Sequence, residues 1–284
     1  MAKQGEIDYL KNIGEVGVWH AANKPFSDPH CGRYLVELGA VISLLPSPPA
    51  RLLDLGCGTG WTSVFFAKMG YDVTGVDIAP DMIDHANRNR DREKLDKLRF
   101  LVCDYEELRF QSEFDGAVFY DSLHHAVDEA VAIRQAFAAL KPGGACVASE
   151  PGRGHQDAPE TAEVVRKFNV TEKDMPPDKV IALGRAAGFR SFQVFPHAFE
   201  VISYSIFARE NLKPCPDPFA GEGRKRPIND PPHPRRPRFW ARALARLAGY
   251  PSWVAAGRKG LSKMERLHYI LENLRNSGVV LMVK

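Results

Sequence analysis

Two adjacent histidines, His124 and His125, follow Asp121 at the end of the apolar run 114–120. An imidazole titrates near neutral pH, so a histidine at the mouth of a fold can take a proton from a hydroxyl. Being adjacent, the two cannot both aim into one pocket from an extended or turn backbone. The other reading is that one or both only cap or pack the helix that follows. Glu150 closes a second apolar run, 145–150, and could be a second base, a substrate contact or a structural acid. A histidine beside a carboxylate also raises metal binding. The rest of an oxygen-rich Mg²⁺ site is not evident, so no metal is expected. Asp77 ends the run Tyr71-Asp72-Val73-Thr74-Gly75-Val76. An acid at a strand tip can accept from two vicinal ribose hydroxyls, and each such charged hydrogen bond is worth about 1.5–3 kcal/mol. The plainer alternative for Asp77 is a helix N-cap.

These residues need strands to carry them and a turn to open the site. Arg51-Leu52-Leu53-Asp54-Leu55 reads as a buried strand, Gly56, Gly58 and Gly60 alternate after it, and Trp61 to Met69 reads as a helix stopped by Gly70. Strand, glycine turn and helix open a nucleotide-binding α/β layer, where glycine lets a ligand lie against bare backbone. Dinucleotide sites use G-x-G-x-x-G to bring a pyrophosphate to the helix N-terminus. Here the spacing is G-x-G-x-G, with Asp54 two residues ahead. That carboxylate would repel a pyrophosphate and suit a ligand bearing an ammonium group. The glycines could instead serve tight packing alone.

The stretch Asp54-Leu55-Gly56-Cys57-Gly58-Thr59-Gly60 resembles the first motif of the class I S-adenosylmethionine (SAM) methyltransferases, and the next hundred residues keep to that pattern. Leu140-Lys141-Pro142-Gly143-Gly144 before a strand, and Gly188-Phe189 ahead of Val194, are structural features of the same family. The resemblance covers about residues 50–196 and implies a doubly wound, seven-stranded, mostly parallel α/β sheet with an insertion before an antiparallel last strand. It implies SAM as cofactor. Asp54, Gly56, Cys57, Gly58 and Gly60 would shape the methionine side, Asp77 the ribose, Ile78 a flank of the adenine, and Asp104 with Tyr105 the adenine amino edge. Asp121 falls with them beyond the strand ends. His125, ahead of His124, lies where related small-molecule enzymes carry a histidine. Segments before the first strand often close over the cofactor in this family, so Trp19 and His20, with Glu150, are candidates for the acceptor side. Trp19 is equally readable as a packing anchor.

The expected reaction is methyl transfer to an oxygen or carbon of a small molecule or glycan, anionic acceptors included. The Asn/Asp-Pro-Pro-Tyr/Phe signature of amino-directed nucleic-acid enzymes is absent after the fourth strand, where Asp121-Ser122-Leu123-His124 stands. Three alternatives stay open: a SAM-binding partner subunit without turnover, an RNA methyltransferase, and an NAD oxidoreductase, against which the glycine spacing argues.

The 284 residues, 44% hydrophobic and 26% charged, have the composition of a soluble globular protein. No run of eighteen apolar residues offers a membrane span. Five cysteines without a C-x-x-C pair suggest reduced thiols in a cytoplasm. Net charge is +3, too small to argue for nucleic acid, but between Arg209 and Arg246 ten basic residues face four acidic ones. Eight prolines between Pro214 and Pro237 exclude regular helix or central strand there. The expected organisation is an N-terminal helical cover (1–49), a SAM-binding domain (50–199), a basic, proline-rich and helical insertion that could be a substrate lid (200–276), and a terminal strand (277–284). Within the insertion, 239–247 and 259–274 read as amphipathic helices, and 199–206 is an alternative last strand.

Overall fold

A computed structural model describes residues 3–198 and 276–284. The insertion expected at 200–276, with its helices and the alternative strand 199–206, lies outside the described residues, apart from Asn276.

Seven strands form one sheet: β1 (Arg51–Leu55), β2 (Asp72–Asp77), β3 (Leu98–Val102), β4 (Phe114–Tyr120), β5 (Leu140–Glu150), β6 (Ser191–Phe195) and β7 (Gly278–Val283), in the order β3-β2-β1-β4-β5-β7-β6. Pairing is parallel from β3 through β5, and only β7 runs antiparallel, between β5 and β6. The fold expected from the sequence is present, including its last strand. Strand order reverses between β1 and β4, and in such sheets ligands bind beyond the carboxyl ends at the reversal. Those ends carry Gly56 and Asp121.

Strand alternation sorts the core. Leu53 and Leu55 face the layer of α6 (Glu129–Ala139) and α8 (Pro177–Ala187), packing with Phe119, Ile133, Val180 and Met282. Leu52 points the other way, to Leu38 of α3 (Cys31–Leu44), Phe66 of α4 (Trp61–Lys68) and Ile83 of α5 (Pro80–Glu93). With a period of two, Asp54 shares the face of Leu52 and lies under the start of α4.

Local expectations needed three corrections. The stretch 16–26, which in the sequence breaks the helical pattern of Ile7, Tyr9, Leu10 and Ile13, is helical as far as Ala22: α2 (Gly14–Ala22) follows α1 (Gln4–Asn12). Helix α2 buries none of its residues, so it has no apolar stripe to reveal it. The Ser27-Asp28-Pro29 start signal leads to a helix that begins only at Cys31. The turn at 141–144 is absorbed into β5: the register to β4 jumps from Phe114↔Leu140 to Gly116↔Ala145, and Gly143 takes φ +78°. Helix α7 (Pro159–Phe168) lies where expected. Among the described residues no helix is long and apolar enough to cross a membrane.

Candidate active site

The glycine turn is tied to β2. Gly56 and Cys57 donate their backbone N–H groups to the Val76 carbonyl at 2.9 and 3.0 Å. Gly58 N–H reaches Asp77 Oδ2 at 2.9 Å, and Asp77 Oδ1 accepts from Ala79 N–H at 2.9 Å. One carboxylate thus holds the turn and the start of α5, and it keeps lone pairs for a ligand. Burial pushes its pKa above the ordinary range, against the pull of those amides.

The three glycines have distinct reasons. All have positive φ: +72°, +52° and +76° at 56, 58 and 60. A Cβ on Gly56 would come within 2.7 Å of Ser122 Cβ, and one on Gly60 within 2.5 Å of Phe100. A Cβ on Gly58 would meet nothing within 4 Å, because that glycine faces open cleft. Gly60 is a packing glycine at the head of α4, while Gly56 and Gly58 line the cleft.

The cleft holds about 370 Å³. Asp77, Ile78, Asp104, Tyr105 and Asp121 line it, as do His124 and His125. An adjoining hollow of about 260 Å³ shares Gly56, Gly58 and Asp121 and adds Cys57, His20, Tyr34 and Trp61. A bare glycine wall beside a half-buried carboxylate with free lone pairs fits a ribose-bearing cofactor. Asp104 caps the turn Tyr105–Glu107 by accepting from Glu106 N–H at 2.9 Å, and it is ion-paired to Lys3. Tyr105 donates its hydroxyl to the Ser122 carbonyl at 3.0 Å.

Three expected contacts lie elsewhere. Asp54 is 1% exposed beneath the loop, where its Oδ2 accepts from Thr62 Oγ1 at 2.7 Å and Ser63 Oγ at 2.5 Å; it does not line the cleft. Trp19 is 61% exposed, beside a separate groove with Phe26 and Phe65. Glu150 is buried as a bracket: its carboxylate accepts the backbone N–H groups of Ser122, Leu123 and His124 at 3.1, 2.9 and 3.2 Å.

Burial lifts the Asp54 pKa to about 6 from its ordinary 3.8, against the two hydroxyls. A raised carboxyl pKa in the folded state means a contribution to stability that is full below the unfolded value and lost as pH rises through about 6. The amide of an Asp54→Asn variant does not titrate. Between pH 7.5 and 4.5 wild type should therefore gain about 2 kcal/mol relative to Asp54→Asn. Denaturant melts of both proteins at the two pH values check this, and a constant difference would sink it.

The histidines are held differently. His124 is 3% exposed, with Nδ1 2.7 Å from Glu150 Oε2 and Nε2 3.3 Å from Glu172 Oε2. Burial alone would lower its pKa, but the two carboxylates outweigh it and raise it to about 10. Glu172 is driven below the usual carboxylate range: burial opposes this, but His124 and His155, whose Nε2 lies at 2.7 Å, prevail. His124 is therefore an imidazolium with both N–H groups engaged. His125 Nδ1 lies 2.7 Å from the Thr171 carbonyl oxygen. A carbonyl only accepts, so Nδ1 donates to it, and in the neutral form of the ring Nε2 carries the lone pair.

Sequence reading missed Lys3, Glu6 and Tyr9 in and beside α1, and His155 and Glu172 beyond β5, all of which line the cleft. The spacing of three in Lys3, Glu6 and Tyr9 places them on one helical face and could have been noticed. Nothing local marks Glu172.

A family model described as a methyltransferase domain matches residues 52–144, which span β1, the glycine turn, Asp77 and the histidine pair. The matched domain and the fold are those of a class I SAM-dependent methyltransferase. This methyltransferase is 28% identical over 222 residues to the O-methyltransferase cnsE of Penicillium expansum, covering 76% of this chain and 75% of that protein. It is 34% identical over 111 residues to a ubiquinone biosynthesis O-methyltransferase of Xanthomonas campestris, covering 38% of this chain and 46% of the relative. The fold matches the SAM complex of phosphoethanolamine N-methyltransferase 2 from Haemonchus contortus, with a TM-score of 0.59 at 19% identity over 98% of this chain and 59% of that one. The methyltransferase thus spans three quarters of the first relative, and about half to three fifths of the other two proteins. It is a SAM-dependent methyltransferase.

Proposed function

We propose that this methyltransferase carries a methyl group from SAM to a hydroxyl oxygen of a small molecule, with His125 Nε2 receiving the hydroxyl proton. The bound cofactor supplies a methyl already activated by its sulfonium. The chain must align the acceptor and hold the proton. Alignment of two reactants is worth about 7–11 kcal/mol of a barrier.

The observation that carries the reading is the Thr171 carbonyl on His125 Nδ1, which leaves Nε2 as an acceptor in the cleft. His124 cannot share that role, because both of its nitrogens are committed to carboxylates. Glu150 supports the pair from beneath by fixing three consecutive amides of their loop. Around the cofactor, Asp77 would take the ribose hydroxyls and Ile78 flank the adenine. Asp104 would meet the adenine edge, where Lys3 already pairs with it, so the base must share or displace that ammonium. Gly56, Gly58 and Asp121 would bound the methionine end. Asp54 would act through the loop it supports.

The carboxylates at the acceptor end favour a neutral hydroxyl over an anionic acceptor, which is one of the readings open for the basic insertion. Its walls carry Glu6, Glu172 and three imidazoles. The names of both curated relatives, each an O-methyltransferase, agree with an oxygen acceptor.

The test is transfer of labelled methyl from SAM to phenols and enols, set against amines and carboxylic acids on the same scaffolds. Label should enter the hydroxyl series. Transfer confined to amines would overturn the oxygen assignment. SAM binding without transfer to any acceptor would favour the non-catalytic partner subunit.

A further inference from the structure

The cleft holds a group of donors of which the proposed reaction uses only His125. One nitrogen each of His124 and His125 and one oxygen of Glu172 lie within 4.8 Å of one another. The imidazole rings of His124 and His125 stand 4.0 Å apart, centroid to centroid, and tilted by 41°. We propose that these three side chains form a site for a divalent first-row transition ion, and that its occupancy blocks methyl transfer by occupying the base.

Two features besides proximity point to an ion. The first is the outer sphere. Glu150 Oε2 accepts at His124 Nδ1 at 2.7 Å, which turns Nε2 toward Glu172. A carboxylate behind a histidine is the arrangement that orients metal-binding imidazoles and raises their basicity. Glu172 is steadied in turn by His155 Nε2 at 2.7 Å. The second is the donor set. Two imidazole nitrogens with one carboxylate oxygen suit zinc, cobalt or nickel, whereas Mg²⁺ and Ca²⁺ take oxygen ligands. Bonds to zinc of about 2.0–2.2 Å put ligand atoms at most about 4.2 Å apart. An ion would draw the three donors, now within 4.8 Å, closer together.

Function follows from His125. Its Nδ1 is engaged by Thr171, so the nitrogen left to an ion is Nε2, the proposed base. A bound ion therefore competes with the proton of the acceptor. The ion displaces the proton between His124 Nε2 and Glu172; no electron moves and no covalent bond is made. The inhibition clause rests on the His125 assignment above, but the ion site itself does not.

The test uses the full chain with metal alone, by titration calorimetry with Zn²⁺ and by visible absorption with Co²⁺. One ion per chain is expected, with a Co²⁺ spectrum of low coordination number that Zn²⁺ abolishes. Glu172→Gln should remove binding. Glu150→Gln keeps the ligands but loosens the outer sphere, and should weaken binding about 10–100-fold. Both variants are checked for folding by circular dichroism, and His155→Gln serves if Glu172→Gln does not fold. No binding to folded wild type, or binding untouched by these changes, overturns the site. Turnover in the presence of Zn²⁺ should fall and recover with a chelator. If Zn²⁺ binds but leaves turnover intact, the base assignment fails while the metal site stands.

Discussion

Turnover of His125→Ala should fall by about 10²–10⁴-fold, the range that a positioned general base contributes, while SAM affinity stays within about twofold. The split is the informative part. His125 lines the cleft, and its backbone-directed nitrogen is spent on Thr171. Loss of the imidazole removes a proton acceptor and no cofactor contact. His125→Gln, which offers a carbonyl but cannot take up a proton, should be as slow as the alanine variant. Steady-state rates and SAM calorimetry on the same preparations measure both quantities. Full turnover in either variant would remove His125 from the chemistry. The neighbouring substitution is less informative. His124 is a buried cation between two carboxylates, so its loss strands both charges and attacks the fold first.

Asp77→Ala should lose SAM affinity by about 100-fold or more. Two hydroxyl contacts to a carboxylate, each worth about 1.5–3 kcal/mol, correspond to about 10²–10⁴ in a dissociation constant. The same change releases Gly58 N–H and Ala79 N–H, so the turn loses its anchor as well. Affinity for the demethylated product should fall in parallel, since the ribose is common to both. Asp77→Asn retains one acceptor oxygen and should fall between the two. Calorimetry with SAM and with the product reads this directly. An unchanged affinity in Asp77→Ala would sink the assignment of the ribose to this acid.

The parts legible in the sequence share a physical reason: each is a local pattern enforced by burial. Strands β1, β2, β4 and β5 end in apolar runs closed by an acid or a glycine, and the turn after β1 needs positive φ at fixed positions. Alternation along β1 even contained the correction for Asp54. With Leu53 and Leu55 on one face, Asp54 had to share the other with Leu52, under α4. Trp19 misled because a large aromatic ring usually has something to cover, yet α2 buries nothing. Glu172, His155 and the partner that Lys3 finds were beyond reach for another reason. Each enters the cleft from a segment remote in sequence, and only the folded chain brings Lys3 to Asp104 or Glu172 to His124. What distinguishes His125 from His124 in the proposal is a backbone carbonyl at Thr171, a group that every residue has and no sequence pattern marks.

Strand β7 sets an order on assembly. It lies between β5 and β6 and pairs with both, yet it is made last. As the chain emerges in synthesis, β1 through β5 can close the cofactor half from contacts already available. Through that interval the outer edge of β5 stands unpaired, with Cys146, Val147 and Ala148 along it. An open, apolar edge invites strands from other chains. β6 cannot cover it, because its place is one strand further out. The hazard ends only when Gly278–Val283 arrives. The six residues of β7 therefore act as the molecule's protection against association, and conditions that slow their docking should raise aggregation before they lower cofactor binding.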